Sequence, residues 1–546
     1  MHTFTFILIL VMAVVASQPL TRLFRIVPLP IVQIALGAAL AWPTSGFHTK
    51  IEPELFLLLF IAPLLFADAW EAPKREYRRL LRPILSLYFG LVFFTTLGCG
   101  LALHWLVPSM PLPVAFALAA VLSPTDAVAV SSIVDKESVP KDLMHILEGE
   151  SLLNDASGLV IFRFATAAAL TGSFSLWQAS LAFLFAVAGG IAAGLLAVIV
   201  VSWALKLLAK FDRIPPEAQV LVVMFLPFAA FLAAEAVHAS GVLAAVVAGL
   251  TVGRTRTANQ LSVSAYMLAH SFWTMLAFLL NGTLFVVLGL QLPAIIRAVP
   301  PALTSSHWLW QPLGIIVALT LCLILLRYLW ITVAVAAGRL VSRLRREVPL
   351  NATLRIRLAS SIAGVRGAVT LAGVLSLPVL ALDGSPFPGR DVAIFLAAGV
   401  ILLWLVIASV GLPPIVCGLV VGHAAHATEV RRARITATEA AIARLEGVAH
   451  RGGTDGAATV DQAVAEGLIA TYRRRLALLD DGKMPQEEAV TLQRAEGALR
   501  HAALAAEREA LRRLLKSGDI DDTTFNALAH ELALHDVLAE AKARSR

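Results

Sequence analysis

The chain has 546 residues, 58% of them hydrophobic and 15% charged, with a mean hydropathy of +0.80, against roughly 25% charged residues in soluble domains. This excludes a soluble globular protein and points to a polytopic membrane protein. The formal net charge is +7, yet from His423 onward 18 Lys and Arg face 19 Asp and Glu. The positive excess therefore belongs to the hydrophobic part and its loops, where it marks topology and not nucleic-acid binding. Cys99, Cys322 and Cys417 are far apart in apolar surroundings, with no metal-ligand or C-x-x-C spacing.

From Met1 to Gln18 the chain is apolar, but its first positive charges, Arg22 and Arg25, follow the apolar run instead of preceding it. That order predicts a first spanning helix with its N-terminus outside, not a signal peptide. Apolar stretches of about 17 to 25 residues occur at 3–21, 26–42, 53–70, 83–106, 111–133, 142–171, 177–205, 216–236, 239–253, 267–292, 309–337, 357–382 and 391–420, thirteen in all. Loops after the odd-numbered stretches are rich in Lys and Arg, among them Lys74, Arg75, Arg78, Arg79 and Arg82, and Arg339, Arg343, Arg345 and Arg346. Loops after the even-numbered stretches hold only Lys50, Arg297 and Arg390. The positive-inside rule then puts the N-terminus outside and the C-terminus in the cytoplasm. After residue 423 the composition turns to Ala, Glu and Arg, broken at Arg451-Gly452-Gly453, Asp481-Gly482 and Ser517-Gly518. The expected organisation is a transmembrane domain over 1–423 and a soluble tail of four helices over 424–546, serving assembly or regulation.

An ionisable residue deep in a spanning helix costs kilocalories, so each one marks a functional hypothesis. The sixth stretch holds the densest group: Glu148, Glu150, Ser151, Asn154 and Asp155. At 100° per residue, Ser151 and Asp155 share one face and Glu150 and Asn154 another. Asp155 lies near the middle of its stretch, where a carboxylate must be either protonated or paired with a cation. A proton and a metal ion that exclude each other at one carboxylate are what an antiporter needs. In the middle of the fifth stretch, Ser123-Pro124-Thr125-Asp126 predicts an unwound segment, because proline lacks an amide hydrogen and disfavours helix at the residue before it. At bilayer depth, unwound backbone is tolerated where it is buried or lines a cavity, and its carbonyls can coordinate a cation. The twelfth stretch carries Gly364-Val365-Arg366-Gly367-Ala368-Val369-Thr370. Arg366 cannot shed its proton and needs an acidic partner, with Glu150 the first candidate and Asp126 the second. Six stretches precede the seventh and six follow it, so the interrupted fifth corresponds to the twelfth, as in transporters built from inverted repeats.

With these residues the chain resembles the monovalent cation/proton antiporter family, specifically its electroneutral sodium/proton exchanger branch. The resemblance rests on Ser123-Pro124-Thr125-Asp126, on Glu150-Ser151 followed by Asn154-Asp155, and on Gly364-Val365-Arg366-Gly367-Ala368, with weaker support from Ala234-Glu235, Ser240-Gly241, Phe272-Trp273, Asn281 and Gly289-Leu290. It implies that Asp155 binds the ion, that Ser151 and the Thr125 backbone contribute oxygens, that Asn154 supports the site and Asp126 lines it, and that Glu150 and Arg366 form a structural ion pair. It also implies an all-α fold of thirteen helices, divided into a dimerisation domain and a six-helix core domain that moves as an elevator. The implied assembly is a homodimer in the inner membrane, surrounded by lipid and without cofactor. The expected substrates are Na+ and H+, with Li+ or K+ as further cations. Electrogenic relatives carry a second carboxylate at the position of Asn154, so the resemblance implies one proton per sodium.

The remaining charged residues leave alternatives open. Glu148 and Asp68 are either interfacial or part of a cation funnel, and Glu235 divides in the same way. Arg163 is a snorkelling anchor or a second carboxylate partner, Arg327 has no nameable partner, and His145 is interfacial or pH-sensing. Potassium/proton exchange is the alternative within the transporter class, since hard oxygen ligands suit either ion. Outside it stand an intramembrane aspartyl enzyme using Asp126 and Asp155 and a membrane scaffold that signals through its tail.

Overall fold

The computed structural model describes residues 2–23, 27–41, 57–72, 77, 86–134, 139–172, 176–208, 215–252, 263–297, 310–345, 353–381, 384–417, 435–436, 438–443, 445–447, 466–467, 469–473, 476 and 513. The chain falls into two compact units, Met1–Val420 and Val421–Arg546. In the second unit the described residues are helical pieces in which Ile442 and Ile469 are buried and Arg473 donates to Glu446 at 2.7 Å. The glycine breaks expected in the tail lie outside the described residues.

Named elements of the first unit are all helical, the only arrangement besides a closed barrel that satisfies its own backbone in hydrocarbon. They are α1 (His2–Leu23), α2 (Leu29–Ala41), α3 (Ala62–Glu71), α4 (Val92–Leu106), α5 (Leu112–Leu122), α6 (Ala127–Ile133), α7 (Lys141–Thr171), α8 (Leu176–Leu208), α9 (Pro216–Glu235), α10 (Gly241–Val252), α11 (Val263–Arg297), α12 (Trp310–Arg345), α13 (Leu354–Ile362), α14 (Ala368–Leu375) and α15 (Arg390–Val416). Single π-helical turns, Leu57–Ile61 and Ser86–Leu91, lead into α3 and α4. Among the described residues, six helices are long and apolar enough to cross a bilayer: α1, α8, α9, α11, α12 and α15. The pair α5 and α6, bent by 50°, forms a broken seventh. Length and apolarity alone therefore do not reach the expected thirteen. Helices α2, α4 and α10 have 13, 15 and 12 residues, and α7, although 31 residues long, has its apolar surface interrupted by acids.

Two buried cores organise the helices. The larger joins α4–α7 to α12–α15 through residues such as Leu103, Leu118, Leu147, Leu323, Ile401 and Trp404. The second joins α3 and α8–α11 around Phe66, Trp70, Val223, Leu226 and Trp273. Between them lies an apolar layer drawn from both groups, including Leu64, Leu65, Leu152, Leu243, Leu284 and Ala372. Large side chains remain exposed along the outward faces, for instance Leu184, Leu195, Ile199 and Trp203 of α8. Such a continuous apolar surface is stable against lipid and not against water.

Helices α2 and α11 approach closely, and glycine permits it. A Cβ on Gly289 would stand 2.9 Å from the Ala38 amide nitrogen and from Gly37 Cα, and one on Gly37 would stand 3.0 Å from Gly289 Cα. The obstructing atoms are backbone, which cannot rotate aside. Gly289→Val is expected to destabilise the protein by about 1–3 kcal/mol or more through overpacking, lowering the melting temperature of detergent-purified protein. Gly314→Ala, where a Cβ meets nothing within 4 Å, is expected to leave it unchanged.

Candidate functional site

Helix α5 ends where Pro124 interrupts the amide ladder, and the chain re-enters helix at Asp126. Asp126 is extended (φ −112°, ψ 104°), and its Oδ1 accepts from the amides of Val128 at 2.9 Å and Ala129 at 3.1 Å, capping α6. Helix α13 ends at Ile362, and α14 begins after Gly367, leaving 363–367 without helix. The two breaks touch, because the Asp126 amide donates to the Val365 carbonyl at 2.8 Å. Only glycine fits at 367, where a Cβ would lie 2.6 Å from both Cβ and Cγ of Asp126. The expected unwound spans at Ser123-Pro124 and Gly364-Gly367 are thus brought together at one crossing.

Helix α7 closes this crossing from the side. Its Asn154 Nδ2 donates to Thr125 Oγ1 at 3.0 Å, and Thr125 passes its own hydrogen to Glu150 Oε1 at 3.1 Å. Ser151 Oγ accepts from the Ala127 amide at 3.3 Å, one of the orphan donors at the start of α6. Thr125, Glu150, Asn154 and Asp155 are all buried.

The buried ion pair differs from the expected one. Glu150 is held by Arg327 of α12, not by Arg366. Arg327 Nη2 donates to Oε2 at 2.7 Å, Nη1 donates to Oε1, and Nε donates to the Ser360 carbonyl at 2.8 Å. Arg366 instead donates from Nη1 to the Gly364 carbonyl at 2.9 Å and lays its guanidinium 4.5 Å above the Trp404 ring, whose Nε1 donates to the Ile362 carbonyl at 2.9 Å. The physical reason is the end of α13. Its last carbonyls have no amide partners within the helix and carry the negative end of its dipole. Arg327, Trp404 and Arg366 supply the donors at residues 360, 362 and 364, which commits Arg366 to the broken backbone.

Asp155 faces a cavity lined by Leu64, Leu65, Asp68, Pro124, Thr125, Asp126, Val128, Ser151, Asn281, Leu284, Gly367, Val369 and Thr370. Among the described residues no group donates to its carboxylate and no cation pairs with it. The polar lining consists of carboxylates, hydroxyls and an amide, with no imidazole or thiol. Its space, about 30 Å³ to the centre of a water-sized sphere, suits a water or a small cation and not an organic molecule. Of the expected site residues, Asp155, Ser151, Thr125, Asp126, Pro124, Gly367 and Asp68 line this cavity. Glu150, Asn154, Ser123, Gly364 and Arg366 are absent from its lining, and so is Glu148. Arg163 pairs with Glu235 of α9 at 3.1 Å, with both side chains partly exposed. Arg327 and Trp404 are the structural residues that sequence reasoning left without a role.

The coupling follows from this geometry. Removing one partner of a buried pair leaves an uncompensated charge, at a cost of about 3–5 kcal/mol, so Glu150→Ala and Arg327→Ala are each expected to melt early. The double variant is expected to recover part of that loss. A thermal double-mutant cycle is expected to give a larger coupling for Glu150 with Arg327 than for Glu150 with Arg366, and equal couplings would remove the assignment.

Residues 6–418 match the family model for the transmembrane sodium/hydrogen exchanger. The chain is 41% identical to an Escherichia coli K12 protein described as an uncharacterized Na(+)/H(+) exchanger, YjcE, over 98% of this chain and 99% of that protein. It is 37% identical to a sodium, potassium, lithium and rubidium/H(+) antiporter of Bacillus subtilis strain 168, over 97% of this chain and 77% of that protein. The fold is similar to that of the solved sodium proton antiporter MjNhaP1 from Methanocaldococcus jannaschii at pH 8, with a TM-score of 0.60 at 18% identity, covering 77% of this chain and 99% of that one. A helical, multi-pass chain with two crossing helix breaks and this match belongs to the sodium/hydrogen exchanger family of monovalent cation/proton antiporters, which are transporters and not enzymes.

Proposed function

We propose that the chain exchanges Na+ for H+ at Asp155, one for one, in the service of intracellular pH and sodium balance. The observation that carries this reading is a buried carboxylate with no counter-charge among the described residues, facing a cavity whose polar lining is carboxylate, hydroxyl and amide, while the neighbouring Glu150 is committed to Arg327. A carboxylate so placed binds either a proton or a cation, and each displaces the other. Ser151, Thr125, Asp126 and Thr370 supply further oxygen from the same side. Oxygen ligands of this kind discriminate weakly among alkali cations, which together with the name of the Bacillus subtilis relative supports Li+ and K+ as additional substrates.

The positive-inside pattern of the loops supports an inner-membrane topology with the N-terminus outside and the C-terminus in the cytoplasm, and two ion pairs between helix ends agree with its alternation of spans. Glu71 at the end of α3 meets His270 near the start of α11 at 3.4 Å, and both belong to the end assigned to the cytoplasm. Arg163 and Glu235 meet at the end assigned to the outside. The chain is read as a transmembrane exchanger over 1–423 and a helical cytoplasmic tail over 424–546, in keeping with the compact unit that begins at Val421. The resemblance extends the reading to a homodimer embedded in lipid, in which the group containing α5–α7 and α13–α14 slides against the group containing α3 and α11.

Asp155→Asn is expected to abolish exchange with every cation while leaving the protein folded, because an amide neither releases a proton nor carries charge. Dequenching of a pH dye in everted vesicles, with Na+, Li+ and K+ added in turn, reads this directly, and wild-type-like dequenching by the variant would remove Asp155 from the mechanism.

Stoichiometry turns on Asn154, a neutral amide engaged with Thr125. If Asp155 alone alternates between protonated and cation-bound forms, both cross with the same total charge. Net movement of one charge is worth about 2.3 kcal/mol per 100 mV, so an electrogenic exchanger responds steeply to voltage. Exchange in proteoliposomes with a sodium gradient is expected to be the same with and without a potassium/valinomycin clamp. A strong change on collapsing the potential would make Asp126 the candidate for a second proton carrier.

A further inference from the structure

The end of α5 contains a conformation that its own sequence opposes. Ser123 stays in the right-handed helical region (φ −72°, ψ −43°) although Pro124 follows it, and a residue before proline is pushed toward extended backbone. Its hydroxyl meets that of Thr95 on α4, and the two side chains are 2% and 1% exposed. Each hydroxyl has one hydrogen to give. The Leu91 carbonyl, last residue of the π-turn before α4, lies 2.7 Å from Thr95 Oγ1, against 3.2 Å for the Val92 carbonyl, so Thr95 donates back to its own helix. Ser123 then donates to Thr95, its alternative acceptor being the Val92 carbonyl at 3.4 Å. Two residues further on, Thr125 bridges Asn154 and Glu150 and lines the cavity in front of Asp155.

We propose that Thr95 is a positioning residue for the cation site: through Ser123 it holds α5 helical up to the proline and thereby fixes where the backbone opens at Thr125. Without the Thr95 hydroxyl, Ser123 relaxes toward the extended region, the helix opens one residue early, and Thr125 shifts relative to Ser151 and Asp155. The consequence is a weakened and less selective cation site with an intact exchanging carboxylate.

This inference rests on the antiport reading, and one set of proteoliposomes separates the two. Failure of wild-type protein to exchange Na+ for H+ would sink the antiport reading itself. With wild-type exchange established, Thr95→Val, which keeps the shape and loses the hydroxyl, is expected to raise the KM for Na+ by about fivefold, the worth of one net hydrogen bond. Its kcat is expected to hold within about twofold, and the ratio of Li+ to Na+ transport is expected to change. Thr95→Ser is expected to restore the wild-type KM and ratio. Ser123→Ala removes the same bond from the other side and is expected to reproduce the Thr95→Val shift, with no further rise in the double variant. If Thr95→Val fails to accumulate, Ser123→Ala decides alone. A wild-type KM and cation ratio in the folded variants, whatever their yield or melting temperature, would reduce Thr95 to a packing role and overturn the proposal.

Discussion

Backbone that leaves the helix at bilayer depth must find a partner for each amide and carbonyl it exposes, because no bulk water is there to take them. The breaks at 123–126 and 363–367 meet this requirement by crossing, and their closest bond runs from the Asp126 amide to the Val365 carbonyl. The rest of the site is arranged around that crossing. An acid caps the positive end of α6, and two guanidiniums and an indole meet the carbonyls at the negative end of α13. Each charged side chain lies at the helix end whose dipole favours it.

This arrangement explains why so many charges accompany the one carboxylate proposed to exchange its proton. Glu150 is locked between Arg327 and Thr125, so its charge orders the site without being available to a mobile ion. Arg366 is spread over the Trp404 ring and its own backbone, a cation–π contact that gains strength when desolvated. Asp155 differs because no donor among the described residues is directed at it, and a carboxylate held by three fixed hydrogen bonds would gain little from a sodium ion. Binding that must also be released favours a ligand set that is pre-positioned by its neighbours and left incomplete at its centre.

The charged landmarks were legible in the sequence because a bilayer makes each of them conspicuous. Helical spacing puts Ser151 and Asp155 on one face and the proline marks the break at Thr125 and Asp126, the family resemblance implies that the two groups share a site, and all four line one cavity. The partner of Glu150 was not legible, for a specific reason. Arg327 continues a buried series, Leu319 and Leu323, spaced by one turn, while Leu321, Leu325 and Leu329 face outward. Both faces of α12 are leucine, so the apolar pattern that reveals the inward side of a soluble helix is missing. Arg366, by contrast, stands in a glycine-flanked break that attracts attention, and its real partner, the end of α13, is backbone that composition does not display. Thr95 was invisible for a related reason, since a threonine in an apolar helix most often bonds its own preceding turn, which this one also does.

The lining of the cavity divides unequally between the two helix groups, and that division bears on how an ion would cross. Thr125, Asp126, Ser151, Asp155 and Thr370 stand on α7, α14 and the break between α5 and α6, which share the larger core. The facing wall, from α3 and α11, contributes Leu64, Leu65 and Leu284, with Asp68 and Asn281 as its polar members. Had the oxygen ligands been shared evenly, any sliding between the groups would have to break coordination at the bilayer centre, where an uncoordinated cation is most costly. With most ligands on one group, and leucine with two polar side chains on the other, sliding of the kind proposed would exchange mainly apolar contacts. An ion bound as proposed would keep its carboxylate and hydroxyls throughout. The same asymmetry would present the protonated and the sodium-bound forms with the same mainly apolar wall, in which Asp68 and Asn281 are the polar points either form would have to pass.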